Sequence, residues 1–111
     1  MDFYPKALCL YHNDADGRAC AAIIRRALGI NVRLYEVDYG EAIPWEYIAK
    51  AQQVLIVDFC LPPPAMLRIA TERELVWIDH HISAIEELGS HADAWPGKRE
   101  ISEAACVLTW Q

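Results

Sequence analysis

Three apolar runs in this chain break off in the same way. Leu8-Cys9-Leu10-Tyr11 runs into His12-Asn13-Asp14-Ala15-Asp16-Gly17, Val54-Leu55-Ile56-Val57 into Asp58, and Leu75-Val76-Trp77-Ile78 into Asp79-His80-His81. Apolar runs of this length bounded by polar residues predict buried strands. The pattern predicts strands over Ala7–His12, Val32–Val37, Gln53–Phe59 and Leu75–Asp79. The second sets Val32, Leu34 and Tyr35 against Arg33 and Glu36 and reads as an edge strand, whereas the third is continuously apolar and reads as central.

Helices are expected between the strands. The first runs from Gly17 to Leu28, with Ala19, Ala22, Ile23 and Ala27 on one face and Gly29 as its stop. The next two run over Pro44–Ala51 and Pro63–Thr71, each with proline near its first position. Beyond the fourth strand, Ser83 and Glu86 have capping-box spacing, and Gly89 closes that helix. His91–Arg99 reads as loop, and Ser102 as the cap of a last helix running to Trp110. Strands alternating with helices give an α/β fold, a mostly parallel Rossmann-like sheet with helical crossovers. Ligands of such sheets bind at the carboxyl ends of the strands, where these acids and histidines stand. Three strand ends tipped in this way imply one shared site.

The 111 residues suit one domain, and 54% hydrophobic content supplies a core. No run approaches the roughly 20 apolar residues that span a bilayer. Asp2, Tyr4 and Pro5 interrupt any opening signal peptide. Cys9, Cys20, Cys60 and Cys106 are scattered without a CxxC spacing, which reads as free thiols in a reducing cytoplasm. The net charge of −6 disfavours a face that tracks long nucleic acid. It suits a site that collects divalent cations, which then reverse the local sign and attract phosphate.

His12-x-Asp14-x-Asp16 puts three potential ligands within five residues of a strand-to-helix turn. With Asp58 and His80 from neighbouring tips, the set is mostly carboxylate with some imidazole. It suits Mn²⁺ or Mg²⁺, and histidine tilts the choice toward manganese. There are carboxylates enough for two ions about 4 Å apart with one bridging, the arrangement of metal-assisted phosphoester hydrolysis. Taken singly, Asp14 or Asp16 reads as an N-cap, Asp58 as a strand end and a lone histidine as structural; the combination resists that explanation. Adjacent residues in extended backbone point oppositely, so His80 and His81 are expected to serve different roles. His91, Asp93 and Glu103 read as solvated positions, and the tryptophans as core or pocket wall.

These motifs together resemble the DHH phosphoesterase superfamily, whose members include single-strand exonucleases, nano-RNases, cyclic-dinucleotide phosphodiesterases and manganese-dependent pyrophosphatases. The segments Tyr11–Gly17, Asp38-Tyr39-Gly40, Trp77–His81 and Ser102–Trp110 look most like the oligoribonuclease or cyclic-nucleotide phosphodiesterase branch. The resemblance implies a hydrolase with two Mn²⁺ ions, Mg²⁺ or Co²⁺ substituting. His12 and Asp14 would hold one ion, Asp16 and His80 the other, and Asp58 would bridge them. His81 would contact the scissile phosphate, and Asp79 would orient a ligating histidine. The substrate would be a short RNA or DNA oligonucleotide or a cyclic nucleotide, with no membrane partner.

The sequence departs from the superfamily at its end. Members carry a further aspartate ligand beyond the helix after the DHH motif, then a smaller substrate-binding domain. Residues 1–111 are accordingly expected to form a single catalytic domain, truncated before both, with one ion under-coordinated and turnover weak. Apolar surface is expected over Val107–Trp110, inviting a homodimer. A pyrophosphatase-like phosphohydrolase and a non-catalytic metal- or nucleotide-binding module are the rival readings.

Overall fold

The computed structural model describes residues 6–99 and 104–110, apart from the side chains of 92–94, 106 and 107. Strands β1 (Ala7–His12), β2 (Val32–Val37), β3 (Gln53–Val57) and β4 (Glu74–Ile78) form one sheet in the order β2-β1-β3-β4, every pairing parallel. The expected edge and central strands hold those places.

Because side chains alternate along a strand, each central strand feeds two cores. Leu8, Leu10, Val54, Ile56 and Trp77 face one side, under α2 (Trp45–Lys50), α3 (Pro63–Glu72) and α4 (Ile82–Leu88). Ala7, Cys9, Leu55, Val57 and Ile78 face the other, under α1 (Ala15–Leu28) and α5 (Ala105–Trp110). The helix after β1 therefore covers the opposite face from those after β2 and β3. The winding reverses between β1 and β3, and such a reversal opens a crevice at the carboxyl ends of the two strands.

Several expectations are corrected. α1 buries Gly17, Cys20, Ala21 and Ile24, not the face of Ala19, Ala22, Ile23 and Ala27, of which Ala22 and Ala27 are exposed. Its rotation is set at its first turn. The Asp14 side chain accepts the Gly17 N–H at 2.7 Å, and Gly17 lies so close to β1 that a Cβ there would sit 2.0 Å from the His12 carbonyl oxygen. α4 begins at Ile82 with His81 before it, so Ser83 lies inside the helix and does not cap it. Asp79 fixes the turn instead, its carboxylate accepting the backbone N–H groups of His80 at 2.7 Å and His81 at 3.2 Å.

Residues 96–99, expected as loop, run along the outer edge of β4. The Trp77 N–H donates to the Pro96 carbonyl and the Asp79 N–H to the Lys98 carbonyl, both at 3.0 Å. Gly97, at φ +121°, passes where a Cβ would lie 2.0 Å from the Trp77 carbonyl oxygen. Pro96 has no N–H and Gly97 has turn character, so the segment does not read as a strand. At the end of the chain Leu108 is buried and Trp110 is 69% exposed, so the expected exposed stretch is present at Trp110 and not at Leu108. Ser102 and Glu103 lie outside the described residues. Among the described residues, no helix is long and apolar enough to cross a membrane.

Candidate metal centre

His12 is the last residue of β1, and its Nε2 lies 3.2 Å from the Asp38 carboxylate at the tip of β2. Nδ1 faces Asp14 Oδ2 at 2.8 Å and Asp58 Oδ2 at 3.9 Å. Both ring nitrogens thus face carboxylates; the tautomer in which Nε2 donates to Asp38 is the one that leaves the Nδ1 lone pair free for a cation. Among the described residues, neither His12 Nδ1 nor Asp58 Oδ2 has a hydrogen-bond partner, although both atoms are buried. Buried acceptors left facing one another are costly, and a shared cation relieves that cost. Asp14 fills two roles at once: one carboxylate oxygen caps α1 and the other faces this point.

Asp58 follows β3 directly. It is 1% exposed, and its backbone is left-handed at φ +61°, the only such non-glycine among the described residues. Aspartate tolerates that conformation better than most residues, and strain of this kind concentrates at functional sites. Burial, then the neighbouring Asp14 and Asp16 carboxyls, push the Asp58 carboxyl up to about 8. Burial would raise Asp14 too, but the Gly17 N–H, the Asp58 carboxyl and His12 outweigh it and hold Asp14 below the ordinary carboxylate range.

The other Asp58 oxygen meets the second half of the site. Asp58 Oδ1 lies 2.9 Å from His80 Nε2, which is 3.5 Å from Asp16 Oδ2. Asp16 also accepts the Ala105 N–H at 2.9 Å, tying α5 to this edge of the sheet. Asp79 is fully buried, and its Oδ1 lies 2.6 Å from His81 Nδ1. A carboxylate only accepts, so His81 donates there and turns Nε2 outward. The orienting carboxylate thus acts on His81, where the resemblance implied a ligating histidine. The His80 and His81 rings do not point oppositely: their centroids are 4.3 Å apart, because the strand ends at Ile78 and Asp79 turns the backbone.

Two donor groups result. His12, Asp14 and Asp58 bring one ligand atom each within 4.8 Å of one another, as do Asp58, Asp79, His80 and His81. Asp58 belongs to both. His91 is exposed and apart from these groups, and the Asp93 side chain lies outside the described ones. Sequence reasoning quoted Asp38 and Tyr39 only within a resembling segment and gave neither them nor Phe59 a role in the site. Asp38 holds His12; Tyr39 packs edge-on against the His12 ring at 5.2 Å and Phe59 stacks at 6.4 Å. The available signal was Val37-Asp38, a fourth apolar-to-acid step at a strand end.

Solved structures of RecJ are among those similar to this chain. A structure of exonuclease RecJ bound to manganese is 28% identical, with a TM-score of 0.55, over 68% of this chain and 23% of that one. The fold is shared with RecJ. RecJ from Thermus thermophilus in complex with Mn²⁺ is 21% identical, with a TM-score of 0.59, over 93% of this chain and 16% of its own. The chain therefore spans less than a quarter of the length of either RecJ. No family model matches it, and no curated protein does. RecJ is an exonuclease of the DHH superfamily, so the likeness supports the superfamily resemblance and gives none to the oligoribonuclease or cyclic-nucleotide branch.

Proposed function

We propose that this chain carries the metal-binding part of a manganese-dependent phosphodiesterase acting on short oligonucleotides, with cyclic nucleotides as a second substrate class. The single observation that carries the reading is Asp58, a buried carboxylate with one oxygen facing His12 and Asp14 and the other facing His80. The likeness to manganese-bound RecJ supports the ion.

In this reading His12, Asp14 and Asp58 hold one Mn²⁺, and Asp16, Asp58 and His80 hold the second. Bound in this way, the ions supply a water of lowered pKa and offset the charge that develops at phosphorus. The chain's own residues do the rest. Asp38 keeps His12 in the tautomer whose Nδ1 can ligate, as carboxylate partners of ligating histidines do. Asp79 holds His81 in one orientation with Nε2 outward, from which the doubly protonated ring would donate to a phosphoryl or leaving oxygen and the neutral ring would accept.

Release of mononucleotide from a dinucleotide, measured with and without Mn²⁺, tests this. Wild-type chain is expected to show manganese-dependent release. Asp58→Ala is expected to lose it by on the order of 10³-fold, together with high-affinity Mn²⁺ binding by calorimetry. Full metal-dependent hydrolysis in Asp58→Ala would overturn the proposal. Manganese binding without hydrolysis would leave the chain a metal-binding module.

A further inference from the structure

We infer that the pocket beside this centre is a nucleobase subsite that selects bases bearing an exocyclic amino group. The inference rests on the phosphodiesterase reading for the position of the phosphate and adds what the site reads beside it. The pocket encloses about 440 Å³, within the size range of small-ligand sites. It lies next to the centre, because Asp38, which contacts His12, forms part of its wall.

Its chemistry favours a base over a phosphate. Tyr39, 57% exposed, offers a ring face, and the buried Phe59 ring packs behind it, with centroids 6.0 Å apart and rings at 74°. An exposed aromatic ring is a platform on which an unstacked base can stack. Ile43 and Leu61 add apolar wall. Every charged residue lining the pocket is a carboxylate: Asp38, Glu41 and Glu87. Carboxylates repel phosphate, and they accept hydrogen bonds from the amino groups of cytosine and adenine, which uracil lacks. Glu41 and Glu87 line the pocket from different elements, the segment after β2 and helix α4.

The test uses nucleosides, which lack phosphate and so probe the pocket without loading the metal centre. In ¹H–¹⁵N spectra of the chain, adenosine is expected to shift the amides of Gly40, Glu41, Ala84 and Glu87 and to bind at least about fivefold tighter than uridine, a preference near 1 kcal/mol. Glu87→Gln is expected to shrink that preference, and Ala84→Phe, which fills the pocket, to abolish the shifts. Equal binding of the two nucleosides, or shifts that persist in Ala84→Phe, would overturn the inference. Hydrolysis of the base-free diester bis(p-nitrophenyl) phosphate with Mn²⁺ separates the two readings. If the diester is cleaved and adenosine does not bind, the subsite fails and the phosphodiesterase stands. If adenosine binds and no diester is cleaved, the subsite stands and the phosphodiesterase fails.

Discussion

At the amino-terminal ends of the strands, charge and backbone satisfy each other. Arg73, just before β4, donates to the carbonyls of Ile48, Ala49 and Glu72 at 2.7–3.1 Å, closing the ends of α2 and α3. The Gln52 and Gln53 N–H groups both donate to the Lys6 carbonyl. At the carboxyl ends of the same strands, Asp58 and Asp79 are buried, and one oxygen of each has no partner among the described residues. The two edges hold similar residue types within the same 5- to 6-residue strands, yet only one is complete in itself. An edge that leaves buried acceptors unpaired lowers the stability of the metal-free chain and gains affinity for whatever cation completes it.

The largest test of this contrast is Asp58→Asn in the metal-free chain. The native Asp58 carboxyl keeps its proton up to about pH 8, while in the unfolded chain an aspartate releases it near pH 4. Between those values the native state binds more protons than the unfolded one, so stability falls as pH rises. Asparagine cannot ionise. The variant is expected to match wild type near pH 4 and to exceed it by a few kcal/mol near pH 8, measured by urea unfolding in chelator. Saturating Mn²⁺ is expected to stabilise wild type and not the variant. Identical pH profiles for the two proteins would show that the edge stores nothing.

The second test concerns a residue the sequence hid. Runs of apolar residues ending in acid or histidine made three strand tips legible, because a buried parallel strand leaves little else to read. β2 is an edge strand whose alternation blurs its end, and Asp38-Tyr39-Gly40 reads as a turn, so Asp38 entered only as part of a resembling segment and received no role, although it contacts His12. The face of α1 and the shared side of His80 and His81 were illegible for a related reason. Both are set by one carboxylate accepting backbone N–H groups, Asp14 from Gly17 and Asp79 from His80 and His81, and that leaves no trace in apolar periodicity. Asp38→Asn can present its amide to His12 and reverse the tautomer. It is expected to weaken Mn²⁺ binding by about 10–100-fold, the usual loss when such a partner is removed. Calorimetry checks this; unchanged affinity would show that Asp14 alone orients the ring.

The smallest effect is expected at the opposite edge, and its value lies in its sign. Arg73→Ala removes three donors from carbonyls at the ends of α2 and α3. Those carbonyls are near enough to solvent for water to replace part of the loss, so the cost should stay near a single hydrogen bond to a charged group, about 1–2 kcal/mol. The change should be destabilising at every pH between 5 and 8, because an arginine keeps its charge throughout that range. Mn²⁺ affinity should not move, since β3 and β4 separate Arg73 from Asp58 and Asp79 by their full length. Removing a charge would then weaken the fold at one end of the sheet and strengthen the metal-free fold at the other. That opposition is what distinguishes an edge built for the chain itself from an edge built for a ligand.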